Sequence, residues 1–261
     1  MKRVIIIAFL SAFMLAILCG CKKKEYIGII SAMDNEINVL IDEAKIDRVD
    51  SVGGIDYYVG TLRDCPVIIT KAGIGKVRAS SGVTAMLNKY PVSSLIFTGI
   101  AGGVADDTKV LDQIIATRLV EHDYGIISNE GFVWTSGDPG MGVQDGEYYY
   151  CDPYLVELAY KASVETVGEE HTFKGTIATG DQFIASEEYV NRLKNDYDAL
   201  ACEMEGASVA IVCMSYQKPF VVIRALSDKA DGNAHDSYEN FGDVAGANSS
   251  RIVLKMLESM K

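Results

Sequence analysis

Residues 199–216, "ALACEMEGASVAIVCMSY", form an apolar run broken by two carboxylates, Glu203 and Glu205, on either side of Met204. The first part, 199–204, reads as a strand, and the remainder reads as a polar turn opening a helix. An unpaired carboxylate in so apolar a setting is costly to bury, so either both glutamates reach the surface or something binds them.

The same strand-then-turn reading recurs outward along the chain. "FKGTIATG" (173–180) and "PFVVIRALSD" (219–228) are two further strands. "YIGIISA" (26–32) is a short apolar run fit for a buried strand, followed by Ile37, Leu40, Ile41 and Ala44 at helical spacing. "IDYYVGTL" and "PVIITKAG" predict a hairpin around Arg63-Asp64-Cys65-Pro66. A helix is expected over 76–89, and "SSLIFTG" (93–99) reads as a strand running into the glycine-rich "GIAGG", with a further strand over 111–121. Asp152 is placed to cap a helix with Pro153 at its first position, running to about Val167. A last helix is expected over 241–260. From Tyr124 to Tyr150 the pattern dissolves into six glycines with scattered aromatics, as in a functional or interface loop. Strands apolar on both sides, alternating with helices, predict one α/β domain over 26–261, with a mixed central sheet flanked by helices.

The 261-residue chain, 49% hydrophobic, has ample material for a core, and its net charge of −12 repels nucleic acid. No basic patch stands out beyond Lys22-Lys23-Lys24. The N-terminus differs in kind. "MKRVIIIAFLSAFMLAILCGC" has a basic start, an apolar run from Val4 and small residues before Cys21, the layout of a secretory signal over 1–20. Leu18-Cys19-Gly20-Cys21 resembles the bacterial lipobox, whose last cysteine becomes the acylated N-terminus. That predicts lipidation at Cys21, a short linker over 21–25 and a membrane-anchored lipoprotein on the periplasmic or surface face. An unprocessed segment would instead leave an anchor or a cytoplasmic protein. Cys65, Cys151, Cys202 and Cys213 make no metal-type pair, and His122, His171 and His235 are scattered, so neither a metal site nor a disulfide framework is expected.

In open α/β sheets, ligands bind beyond the carboxyl ends of the strands. The residues there include Met33 to Glu36, Lys71 to Lys76, Gly99 to Gly103, "TGDQFIAS" (179–186), Glu203 to Glu205, and Ser227-Asp228. Carboxylates dominate, which favours hydroxyl and amine recognition with acid/base work over phosphate binding. "GIGKV" fits neither a P-loop nor a dinucleotide fingerprint, and its glycines on their own say no more than a tight turn.

Taken together and in order, "IGIISAMDNEI", "GIGKV", "TGIAGG", "TGDQFI", "CEMEGASVA" and "VVIRALSDKAD" resemble the bacterial 5′-methylthioadenosine/S-adenosylhomocysteine nucleosidases across 26–260. The resemblance implies a nucleoside phosphorylase-like domain, a homodimer without metal or cofactor, and cleavage of the N-glycosidic bond of adenine nucleosides, 5′-deoxyadenosine included. It implies Glu36 as the base that activates water, partnered by Arg224, and Asp228 as the acid at the purine, oriented by Ser227. Glu205 would accept the ribose hydroxyls, with Met33 and Met204 against the sugar and Gly102 in the pocket wall. Phe183 would stack on the purine and the Ile184 backbone would bind its edge. Tyr238 stands where the family commonly has phenylalanine near the 5′-substituent, and Ile100 where some members have serine. Glu203 stays open between lining the cleft and a paired glutamate at a helix start. Taken singly, Asp228 reads equally as a helix cap, and Phe183 and the methionines as core. Two alternatives share the fold. A purine nucleoside phosphorylase would need arginines where Glu36 stands. A surface protein would have kept the fold to bind a partner.

Overall fold

The computed structural model describes residues 24–134 and 148–260; the expected signal segment and Cys21 lie outside the described residues. In chain order the elements are β1 (Tyr26–Ser31), α1 (Asp34–Glu43), β2 (Lys45–Val52), β3 (Ile55–Leu62), β4 (Cys65–Lys71), α2 (Lys76–Lys89), β5 (Val92–Gly103) and β6 (Gln113–Glu121). After a small hairpin, β7 (Gly125–Ser128) with β8 (Gly131–Trp134), come β9 (Tyr149–Tyr150), α3 (Pro153–Val167), β10 (Thr172–Thr179), α4 (Glu187–Tyr197), β11 (Ala199–Glu203), α5 (Gly206–Ser215), β12 (Phe220–Asp228) and α6 (Ala234–Glu258).

The main sheet runs β11-β10-β6-β12-β5-β1-β4-β3-β2, with β9 on β6. Its centre is parallel: β12 and β1 flank β5, and β4 lies beside β1. All nine residues of β12 are buried, which is why its sequence does not alternate and is apolar except for Arg224 and the Ser227-Asp228 end that face the site. The β3–β4 hairpin turns at Arg63 and Asp64, with φ of 49° and 65°. Two consecutive positive φ values give the primed turn whose twist matches that of the strands. Asp152 accepts a bond from the Leu155 N–H at 3.0 Å and Pro153 opens α3, as expected.

Four departures from the sequence reading bear on the site. First, β5 continues past Gly99 to Gly103, and Gly102 and Gly103 pair antiparallel with Cys202 and Ala201 of β11. The glycine-rich stretch is thus strand, and it closes β5, β12, β6, β10 and β11 into a ring. Second, α6 starts at Ala234 rather than near Phe241, because its first turns are polar and carry no apolar period. Third, Lys45–Val52 is an additional strand, mostly exposed and charged at the sheet's edge. Fourth, part of the stretch read as an irregular loop forms the β7–β8 hairpin, while 135–147 lie outside the described residues. Cys65, Cys151, Cys202 and Cys213 are all buried, in keeping with cysteine as a small hydrophobe. Among the described residues, no helix is long and apolar enough to cross a membrane.

Candidate active site

A cavity of about 340 Å³ opens beyond the carboxyl ends of β1, β5, β10, β11 and β12 and reaches the first turns of α6. Its wall includes Met33 and Glu36 from the start of α1, Ile100 and Gly102 from β5, and Phe183 and Ile184 after β10. Glu203 to Glu205 after β11, Ser227 and Asp228 at the end of β12, and His235 and Tyr238 from α6 complete it. Segments distant in sequence meet here because the parallel strands β1, β5 and β12 end at one edge of the sheet, and the ring closure brings the end of β11 round beside β5.

Glu36 lies in the first turn of α1 and folds back on the helix entrance. One oxygen accepts from the Ala32 and Met33 N–H groups at 2.9 and 2.8 Å, the other from the Ile100 N–H at 2.9 Å. Burial pushes its pKa up from the ordinary carboxylate value; the nearby charge of Arg224 and the three N–H donors oppose that. Arg224 is not its direct partner. The guanidinium is almost wholly buried on the ring of Phe97, at 4.0 Å from the centroid, and its Nη2 donates to Glu203 at 2.5 Å. The reason is geometric, because Glu203 sits beside it at the β11 terminus while Glu36 is held across Gly99. A side chain at Gly99 would place Cβ 2.6 Å from Glu36 Oε1 and 2.8 Å from Arg224 Nη1. That Nη1, like Nε, is buried without a hydrogen-bond partner.

Glu203 lines the cavity, but its carboxylate is fully committed. It accepts from the Thr179 hydroxyl, from the Glu205 and Gly206 N–H groups at the α5 entrance, and from Arg224. A carboxylate at a helix N-terminus, paired with a buried arginine, is well stabilised and has little capacity left for a ligand. The two readings open for Glu203 hold together: it lines the cleft and is a paired glutamate at a helix start. Glu205, two residues on, accepts from the Gly75 N–H at 2.8 Å and stands 3.6 Å from Arg224 Nη2. Burial, and then the charge of Glu203, push its pKa up to about 8 against the pull of Arg224 and Gly75. One guanidinium among Glu36, Glu203 and Glu205 does not balance three carboxylates, and the uncompensated repulsion adds to burial in driving that upward shift.

Asp228 closes the other side. Its carboxylate accepts from Ser227 Oγ at 2.8 Å and from the Ala230 N–H at 2.7 Å, and burial raises its pKa. Gly102 backs onto it, since a Cβ there would lie 2.9 Å from Asp228 Oδ1. Phe183 is half exposed over the cavity, its ring edge-on to Tyr238 at 6.2 Å between centroids; Ile184 is buried behind it. Met33 packs with Ile100 and Tyr238 in a small apolar cluster, and Met204 is half-buried. Sequence reasoning missed the Gly75 N–H, the buried thiol of Cys202 in the wall, Gln182 and His235. The block "GIGKV" holds the signal for the first, but as a carboxylate's partner rather than a phosphate loop.

The arrangement sets two protonatable carboxyl groups, Glu36 and Asp228, around one largely apolar cavity, with the carboxyls of Glu203 and Glu205 also along its wall. The model of the Phosphorylase superfamily matches residues 26–258. The 5′-methylthioadenosine/S-adenosylhomocysteine nucleosidase of Bacillus cereus is 37% identical over 237 residues, covering 90% of this chain and 99% of that one. That of Shewanella pealeana is 35% identical over 235 residues, with the same shares covered. The chain belongs to the 5′-methylthioadenosine/S-adenosylhomocysteine nucleosidase family. A solved nucleosidase from Neisseria meningitidis, in complex with methylthio-immucillin-A, matches with a TM-score of 0.82 at 31% identity, over 90% of this chain and 99% of that one. The fold expected of the nucleosidase family, one nucleoside phosphorylase-like α/β domain, is the one observed.

Proposed function

We propose that this protein hydrolyses the N-glycosidic bond of 5′-methylthioadenosine and S-adenosylhomocysteine and releases adenine. The observation that carries the reading is the pair Glu36 and Asp228, both buried and both facing the same cavity. No lysine or arginine stands among the described residues lining that cavity. Breaking a ribosidic bond needs an acid for the leaving purine and a base for the water that captures the oxocarbenium-like sugar, the division of labour of inverting glycoside hydrolysis. In this reading Asp228, its pKa raised by burial and its orientation fixed by Ser227, supplies the proton to the purine. Glu36 takes the proton of water. Its three N–H donors hold the carboxylate still, and Arg224 acts through its charge and through Glu203 rather than by contact.

Glu205, with Met33 and Met204, would hold the ribose, and Phe183 with the Ile184 backbone the purine. A phosphorylase would have to place phosphate next to Glu36, which repels it. Purified protein should therefore release adenine at the same rate in buffers with and without phosphate. A strict phosphate requirement would overturn the hydrolase reading, and no adenine release from either substrate would return the chain to a surface-binding role.

Two features outside the chemistry belong to the same proposal. The protein acts as a homodimer, with α5 and α2 at the contact. "GASVAIVCMS" is apolar around its whole circumference, yet Met214 is exposed and Ile211 and Val212 are only half-buried, beside an exposed Val77 on α2. Such helices are normally covered. The β7–β8 hairpin, with Phe132 beneath Arg192, would extend that contact; residues 135–147 of the expected interface stretch lie outside the described residues. An active monomer in sedimentation would refute it. The chain is also anchored through lipid on Cys21, with Lys22 to Lys24 drawing it toward anionic headgroups. Cys21→Ala should abolish fatty-acid labelling and leave adenine release unchanged; unlabelled wild-type protein would defeat the anchor and not the enzyme.

A further inference from the structure

Once the purine lies between Asp228 and Phe183 and the ribose against Glu205, the wall left for the 5′-substituent is the start of α6. His235 and Tyr238 stand there one turn apart, both lining the cavity. The Tyr238 ring is fixed by packing, edge-on to Phe183 and against Met33. Its hydroxyl meets Met33 Sδ at 3.6 Å, a weak acceptor that satisfies a phenol poorly. A phenylalanine would fill the same space and make the same packing. What tyrosine adds is a donor pointed into the cavity with no strong partner.

The surrounding rim is polar and open. His235 is 75% exposed, with its Nε2 3.8 Å from Glu239 Oε1, and Asp236 is exposed beside it. A methyl group on sulfur offers this rim nothing. A 5′-substituent ending in an amino-acid zwitterion offers a carboxylate, which replaces the thioether as acceptor with a charge-assisted bond, and an ammonium for the acidic side chains. We propose that Tyr238 is a specificity-determining residue that tilts the site toward nucleosides with a zwitterionic 5′-tail over those ending in methyl. Its hydroxyl, with His235, takes the carboxylate, and Glu239, on the same helix face as His235, takes the ammonium. This rests on the hydrolase reading and adds an order of preference to it.

The test compares wild-type protein with Tyr238→Phe, a substitution that keeps the ring. kcat/KM is measured for S-adenosylhomocysteine, for 5′-methylthioadenosine, and for the butylthio analogue, whose tail is long but uncharged. The ratio of S-adenosylhomocysteine to methylthioadenosine should fall about tenfold or more in the variant, which corresponds to about 1.4 kcal/mol. The ratio of butylthio to methylthio substrate should stay within twofold. An unchanged zwitterion ratio would overturn the proposal while the hydrolase reading stands. A parallel fall in both ratios would also overturn it, since tail length and not charge would then be what Tyr238 senses. Absence of adenine release from every substrate by the wild-type protein would remove the reading on which the proposal rests.

Discussion

The Gly75 N–H donates to Glu205 Oε1 at 2.8 Å, tying the loop after β4 to the turn after β11 across 130 positions of sequence. That bond, with Arg224 behind, fixes the carboxylate before any ligand arrives. If it receives the ribose hydroxyls, Glu205→Gln should lower kcat/KM by roughly 10- to 100-fold, the worth of a charged hydrogen bond of about 1.5–3 kcal/mol. Glu203→Gln should reduce thermal stability as well, because it strips a buried arginine and a helix entrance of their partner. Undiminished turnover of a 2′-deoxyribose substrate would count against Glu205 in this role.

The acid and base roles are tested by Glu36→Gln and Asp228→Asn. Each keeps the shape and most of the hydrogen bonds, so circular dichroism should be unchanged. Each should cut kcat by roughly 10²–10⁴-fold. Near-parental kcat in either variant would reassign that residue.

Gly99→Ala inserts a methyl group where Glu36 Oε1 and Arg224 Nη1 face each other across 2.6 and 2.8 Å from the new carbon. Neither group has room to retreat, since one is held by three N–H donors and the other by Glu203 and the Phe97 ring. Thermal melts should show a lower Tm, and kcat should drop at least tenfold. A fully active, equally stable Gly99→Ala protein would show that the gap has no role.

Stability should respond to pH in a defined direction. Glu205 has a folded-state pKa pushed up to about 8 from an ordinary 4.5, and burial raises Glu36 and Asp228 in the same sense. An acid whose pKa is raised by folding binds its proton more tightly in the native state than in the unfolded one. Stability is therefore highest below the unfolded pKa and declines as pH rises toward the folded pKa. The ligand-free protein should lose Tm between about pH 5 and pH 8, and Glu205→Gln should flatten that decline. A wild-type Tm that rises steadily over this range would contradict the charge excess around Arg224.

The architecture was legible where burial on both faces leaves an unbroken apolar run. β1 and β11 were read correctly from such runs, β12 from one interrupted by Arg224, β10 from its buried second half, and α3 from Asp152-Pro153. The charged edge strand β2 left no apolar signature, and α6 was read too late because Asn233 to Asn240 look like loop. Within the site, the residue types at the strand ends pointed to acid/base chemistry, and the family resemblance supplied their roles. The partner of Arg224 was not readable. Which of three carboxylates takes a guanidinium depends on the register of β11 against β10 and on the empty space at Gly99, and neither is written in local sequence.

The pairing of β5 with β11 has a consequence for how many copies can sit side by side. Half of the main sheet bends round until its last strand meets its middle, so it offers neighbouring molecules no row of unpaired amides on that side. The long edge that remains is β2, "KIDRVDSV", where Lys45, Asp47, Arg48 and Asp50 stud the strand with charge. Such a border resists strand-to-strand stacking between molecules. If the proposed lipid tether crowds copies into a plane, that charged border keeps neighbours from fusing sheets and leaves association to the apolar face of α5.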